Sequence, residues 1–160
     1  MVVSVSLRRL EHWEASLPKA PTALADLAGQ HVLIAGVGRE GTAVATRLAA
    51  LDPALALMAV DGREGPSTEA FRKSFPRIPL HIADEQGGIP PACQDATIAV
   101  VSPGIAITSE LHRSLRELSI PLISGSAMFV AEHAERMVGI TGSKGKSTTT
   151  TLVHALLQGS

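Results

Sequence analysis

Apolar residues in this 160-residue chain fall into short runs separated by amphipathic stretches, and the alternation sharpens at His31. The run Val32-Leu33-Ile34-Ala35 ends in Gly36 and is interrupted by no polar residue, the pattern of a strand buried on both faces of a parallel sheet. A glycine-rich turn and a helix over residues 42 to 51 are expected next. A second apolar run, 55 to 60, stops at Asp61-Gly62, and a short helix over 67 to 75 precedes Pro76. Residues 79 to 82 give a weaker strand signal. A Gly/Pro loop over 87 to 91 separates it from a clear strand at 97 to 101, which Ser102-Pro103-Gly104 terminates. Further on, the pattern predicts a helix over 108 to 118, an extended segment at 120 to 123, a helix over 126 to 134, a strand at 137 to 140, and a helix from Ser147 to the chain end.

Strand and helix alternating in this way imply parallel pairing through right-handed crossovers, hence an α/β fold. Two units are expected: a Rossmann-like parallel-sheet nucleotide-binding domain over 1–124, and over 125–160 the first strand, P-loop and helix of a P-loop ATPase domain. The last helix reaches Ser160 with no sheet to complete it, so the sequence is read as truncated. Before Pro18 and Pro21, residues Leu7, Leu10, Glu14 and Leu17 lie near one helical stripe beside Trp13, which predicts a short amphipathic helix over 5 to 17.

Composition adjusts this picture only slightly. The chain is 45% hydrophobic and 18% charged, ordinary for a soluble domain. Its 14 Lys+Arg against 15 Asp+Glu leave no basic field for a phosphate backbone, so no nucleic acid is expected. The apolar start is followed rather than preceded by Arg8 and Arg9, and no run approaches membrane-spanning length. A single cysteine, Cys93, excludes an internal disulfide, and the six histidines have no metal-ligand spacing. The chain reads as cytoplasmic, without a membrane partner, and monomeric. Cys93 is taken as a structural thiol, since no histidine is placed to activate it.

The first chemistry-bearing motif is Gly36-Val37-Gly38-Arg39-Glu40-Gly41, a G-x-G-x-x-G between a strand and a helix. Such glycines allow a tight turn and bring a diphosphate against backbone N–H groups at a helix N-terminus. Asp61, twenty residues after Gly41 at the next strand end, is positioned to accept from a nucleotide's ribose or base. These residues alone fit a dinucleotide such as NAD as well as a nucleotide-sugar diphosphate. The glycines could also serve only close helix–strand packing.

The second motif is Thr141-Gly142-Ser143-Lys144-Gly145-Lys146-Ser147-Thr148, again between a predicted strand and a helix. A glycine loop offers N–H donors to the β- and γ-phosphates, Lys146 adds a point charge, and the Ser147 hydroxyl can ligate Mg²⁺. Ile140 stands where the longer G-x-x-x-x-G-K-[ST] form needs glycine; the shorter T-G-x-x-G-K-[ST] fits. Lys144 is either a second phosphate contact or a solvated charge.

With that loop, and with Ser102-Pro103-Gly104-Ile105 ending a strand before it, the chain resembles the Mur ligase family, and within it the glutamate-adding members, over about residues 29 to 160. The resemblance implies that Gly38, Arg39, Glu40 and Gly41 surround a UDP diphosphate, that Asp61, Gly62 and Arg63 lie near the uracil, and that Ser102, Pro103 and Gly104 line the sugar-phosphate cleft. It implies ATP at Gly142, Ser143, Lys144, Gly145, Lys146, Ser147 and Thr148, with Lys146 catalytic and Ser147 on Mg²⁺. The expected substrates are UDP-N-acetylmuramoyl-L-alanine and glutamate in the D form, joined by ATP through an acyl phosphate in peptidoglycan synthesis.

Glu40, Gly62, Lys144 and Ala127 depart from residues common in that family. A carboxylate at Glu40 would repel a diphosphate unless a cation offsets it. An L-glutamate-adding or other Mur-type ligase, an NAD-binding module, and a non-enzymatic nucleotide-binding protein remain as alternatives. The chain alone is expected to be inactive.

Overall fold

In the computed structural model, which describes residues 24–158, five strands form one parallel sheet. They are β1 (His31–Ala35), β2 (Ala56–Asp61), β3 (Leu80–Ile82), β4 (Ile98–Val101) and β5 (Leu122–Ile123). Their order is β3-β2-β1-β4-β5, with Leu33 in register with Met58 on one side and Ala99 on the other. This is an α/β Rossmann-like arrangement. The expected amphipathic helix over 5 to 17 lies outside the described residues.

The uninterrupted apolar run of β1 is explained by its central place: Val32 to Ala35 are fully buried. Leu33 and Ala35 face one side, packed with Val60, Ala99, Leu111 and Leu115. Val32 and Ile34 face the other, in two clusters built around Leu27, Leu48 and Met128 and around Ala45 and Phe71. With both faces covered, no strand position is left for an alternating polar residue.

The helices that cover the sheet are α1 (Arg39–Leu51), α2 (Pro66–Ser74), α3 (Glu110–Glu117) and α4 (Gly125–His133). α1 starts three residues before the expected 42 because Gly38 is its N-cap, and Thr42 N donates to Gly38 O at 2.9 Å. Gly41, Ala45 and Leu48 follow at helical spacing and face the sheet. α2 begins at Pro66, a residue suited to a first helical position, and buries Thr68 and Phe71. Truncating the Phe71 ring in that core would cost about 3–5 kcal/mol. Ser109 and Ser124 cap α3 and α4 by accepting from His112 N and Ala127 N. Through Met128, α4 belongs to the same packed body as the sheet.

One predicted strand is absent. Residues 137–140 form no strand, and Val138 is 68% exposed. Their apolar run is strand-like, but a strand exists only by pairing, and no neighbour is paired with them among the described residues. The loop and helix expected after it do form: α5 runs from Lys146 to Gln158. It buries no residue, and Leu152 and Leu156 are 61% and 74% exposed. No helix among the described residues is long and apolar enough to cross a membrane.

Candidate functional site

In an open parallel sheet, ligands bind beyond the C-terminal strand ends where the strand order reverses. Here the reversal lies between β1 and β4, whose neighbours run outward on opposite sides. A cleft of about 700 Å³ opens at that point. Its walls are the β1–α1 loop with Gly36, Gly38, Arg39 and Glu40, the loop after β2 from Asp61 to Pro66, and the turn Ser102-Pro103-Gly104 after β4. All ten residues expected at a UDP site lie in or against this cleft, with Gly41 set just behind it as the packing residue of α1.

The three glycines of the first motif do different work. Gly36 has φ +83°, a left-handed conformation, and a Cβ there would sit 3.0 Å from Ser102 Cβ. A Cβ on Gly41 would run into the carbonyl oxygen of Gly36. Both are therefore required by the fold. Gly38 has an extended backbone, and a Cβ on it would meet nothing within 4 Å. Packing does not demand its lack of a side chain; glycine suits its place as the N-cap of α1 and leaves the backbone open toward the cleft.

Hydrogen bonds between the loops fix the cleft's floor. Asp61 Oδ2 accepts from Val37 N at 2.8 Å, which ties the end of β2 to the glycine loop. Ser102 Oγ donates to Gly36 O at 2.7 Å and ties the end of β4 to the same loop. One oxygen of Asp61 and the Ser102 hydroxyl hydrogen are thereby committed to the protein. A Cβ on Gly62 would meet only Leu111, at 3.9 Å.

The guanidinium groups of Arg39 and Arg63 are exposed at the cleft and have no ion-pair partner among the described residues. Glu40, in the first turn of α1, is equally unpaired. Sequence reasoning missed Glu64 and Thr68, which stand in the cleft wall. Glu64 accepts from Arg72 through both guanidinium nitrogens at 2.6 and 2.7 Å, and Thr68 Oγ1 lies 2.9 Å from its Oε2. These hydrogen bonds, the Arg72 pair first, hold the Glu64 carboxyl below the usual carboxylate range. The Gly65-Pro66 start of α2 was the available signal, since it sets Thr68 facing back onto Gly65 N, 2.9 Å away.

A larger, mostly apolar groove of about 840 Å³ lies between α1 and α4, walled by Val44, Leu48, Met128 and Phe129. Apart from Glu40 it contains none of the motif residues. Cys93 is fully buried, and burial pushes its thiol up, which disfavours the reactive thiolate.

In the second motif, Gly142 and Gly145 have φ +153° and +79°, so glycine is needed at both turns. The Lys146 ammonium folds back onto Gly142 O at 2.6 Å, closing the loop at the N-terminus of α5. Ser143, Lys144, Ser147 and Thr148 are exposed around it. The loop's open backbone, its lysine and the helix N-terminus suit a polyphosphate. Among the described residues no three His, Cys, Asp or Glu side chains are gathered to hold a metal.

No family model matches the chain. It is 41% identical over 142 residues to a Micromonospora UDP-N-acetylmuramoyl-L-alanine–L-glutamate ligase, covering 84% of this chain and 29% of that protein. A protein of the same name from Salinispora tropica is 38% identical over 136 residues, with the same coverage. The UDP-N-acetylmuramoylalanine–D-glutamate ligase of Pelodictyon phaeoclathratiforme is 34% identical over 133 residues, 83% of this chain and 27% of the relative. The matched stretch thus spans under a third of these relatives' length.

Proposed function

We propose that this chain, similar over 133 to 142 residues to glutamate-adding Mur ligases, is the precursor-binding stretch of such a ligase, and that its cleft binds the UDP end of UDP-N-acetylmuramoyl-L-alanine. The observation that carries the reading is the contrast among the three glycines: two are demanded by packing, and Gly38 is bare where a diphosphate would approach. Backbone N–H groups at the start of α1 and the exposed guanidinium group of Arg39 supply the positive side. Asp61, Gly62 and Arg63 face the base, and Ser102, Pro103 and Gly104 face the sugar phosphate.

The second motif, in the same reading, opens an ATP-binding unit after a UDP-precursor domain; α4, at the start of the expected 125–160 stretch, packs with the precursor domain through Met128. Gly142 to Thr148 would cradle the phosphates, Lys146 would leave Gly142 O to neutralise them, and Ser147 would hold Mg²⁺. Residues 137–140, unpaired here, would gain strand neighbours in the longer protein. Bound there, ATP would give its γ-phosphoryl group to the alanyl carboxylate, leaving ADP and an acyl phosphate. The amine of glutamate then attacks the acyl carbon, forming the amide and releasing phosphate and a proton. This chain's part in that chemistry is positioning and charge neutralisation.

Relatives named for L- and for D-glutamate both match this stretch, which supports assigning it what they share, the precursor and nucleotide sites, rather than the choice of glutamate. We take the full-length protein to be a cytoplasmic monomeric ligase of peptidoglycan synthesis, and this stretch alone to be inactive. Calorimetric titration of the chain with UDP-N-acetylmuramoyl-L-alanine, and separately with NADH, tests the reading. Binding of the first supports it. Binding of NADH alone would assign the cleft to a dinucleotide.

A further inference from the structure

The cleft wall contains a carboxylate in an unfavourable place. Glu64 follows Arg63 directly and lines the same cleft that the proposed diphosphate would enter. With Asp61 and Glu40 it would set three carboxylates against the two guanidinium groups of Arg39 and Arg63. Left unpaired, it would repel an anionic ligand and compete for the Arg63 side chain beside it.

The structure removes that carboxylate from play. Arg72, two turns along α2, reaches back and occupies both oxygens of Glu64 in a bidentate pair, while Thr68 Oγ1 lies against Oε2. α2 is held to the sheet by the buried Phe71 next to Arg72, so the guanidinium is presented from a fixed helix. The pair is exposed, with 42% of the Arg72 side chain and 57% of that of Glu64 accessible, so its contribution to folding is small. Its location in the cleft wall gives it another use.

We propose that Arg72 is a positioning residue of the UDP site: by sequestering Glu64 it leaves the neighbouring Arg63 side chain available to the UDP ligand. The inference rests on the proposed UDP reading of the cleft and adds to it a residue outside the cleft lining. It also explains why a carboxylate is tolerated next to the arginine that the ligand needs.

The test is titration of the whole chain with UDP at low and at moderate salt, using wild type, Arg72→Gln and the double variant Glu64→Gln/Arg72→Gln, with thermal unfolding of each recorded alongside. Arg72→Gln is expected to bind UDP about tenfold more weakly, with a larger deficit at low salt, while its melting temperature changes little. The double variant, which no longer has the carboxylate, is expected to recover to within about threefold of wild type. Wild-type affinity in Arg72→Gln would overturn the inference and leave the UDP reading intact. A double variant as weak as Arg72→Gln would likewise overturn it, because the network would then act only through loop structure. If wild type does not bind UDP, the reading of the cleft fails and the inference with it.

Discussion

The carboxylate of Asp61 accepts a hydrogen bond from Val37 N at 2.8 Å, so the acid at the end of β2 holds the glycine loop that follows β1. One residue thus serves the fold and lines the cleft. Asp61→Ala is expected to lower stability by about 1–3 kcal/mol, the cost of leaving a partly buried N–H unpaired. Asp61→Asn keeps an oxygen for Val37 and should melt near wild type, while its amide changes what the second position offers a ligand. Urea unfolding of the two variants, beside ligand titration, separates the roles. Equal stability of Asp61→Ala and wild type would contradict the loop-fastening role.

The glycines of the same loop should respond in opposite ways. Gly41→Ala forces a methyl group against the Gly36 carbonyl and is expected to destabilise by about 1–3 kcal/mol. Gly38→Ala adds a methyl group in open space, so only the weaker N-cap should be felt, about 1 kcal/mol or less and a melting temperature lowered by a few degrees at most. A comparable loss of stability in both variants would remove the reason for assigning Gly38 to a ligand.

Acid should release the Glu64–Arg72 pair in a defined direction. The Glu64 carboxyl is held below its ordinary value by the Arg72 and Thr68 hydrogen bonds, so its contribution to stability is fully present above the unfolded-state value. It is lost as pH falls through the depressed folded-state value. The difference in melting temperature between wild type and Glu64→Gln should therefore be flat from neutral pH down to the ordinary carboxylate range and shrink only below it. A difference that instead disappears near neutrality would contradict the pairing.

Cys93 should be silent toward thiol reagents. It has no accessible surface, and burial raises the thiol, so both access and thiolate fraction oppose alkylation. Mass spectrometry after iodoacetamide treatment should find it unmodified in native protein and modified in denaturant. Rapid native labelling would contradict its place in the core.

Amide exchange should separate the sheet from the second motif. β1 is buried on both faces, whereas α5 buries no residue, and its run of threonines favours helix weakly, with Thr150 and Thr151 donating back to the carbonyls of Lys146 and Ser147. Amides of residues 32 to 35 should exchange by far the most slowly, and those of α5 in the first time points. Strong protection in α5 would mean that it packs on a partner within this chain.

What the sequence revealed follows from what is local. The run 32 to 35 and the glycine loop after it were legible because burial on both faces leaves an uninterrupted apolar signature, and because glycine is the residue that φ +83° at Gly36 favours. Residues 137 to 140 have the same apolar signature and form no strand, since a strand exists only by pairing and none pairs with them among the described residues. The α1 boundary was misplaced by three residues because its cap is a glycine, which signals a turn as readily as a helix start. In the cleft, the motif residues were found and the Glu64–Thr68–Arg72 network was not. Its members lie in a loop and a helix with no motif, and only the direction of α2 brings them together.

The most direct measurement of the central claim is calorimetric titration of UDP-N-acetylmuramoyl-L-alanine into wild type and Gly38→Val, with melting curves of both. The expected result is saturable binding to wild type, a loss of at least about tenfold in Gly38→Val, and a Gly38→Val melting temperature lowered by only a few degrees through the weaker N-cap. Unchanged affinity in a folded Gly38→Val variant, or no binding to wild type at all, would contradict the assignment of this cleft to the UDP-linked precursor.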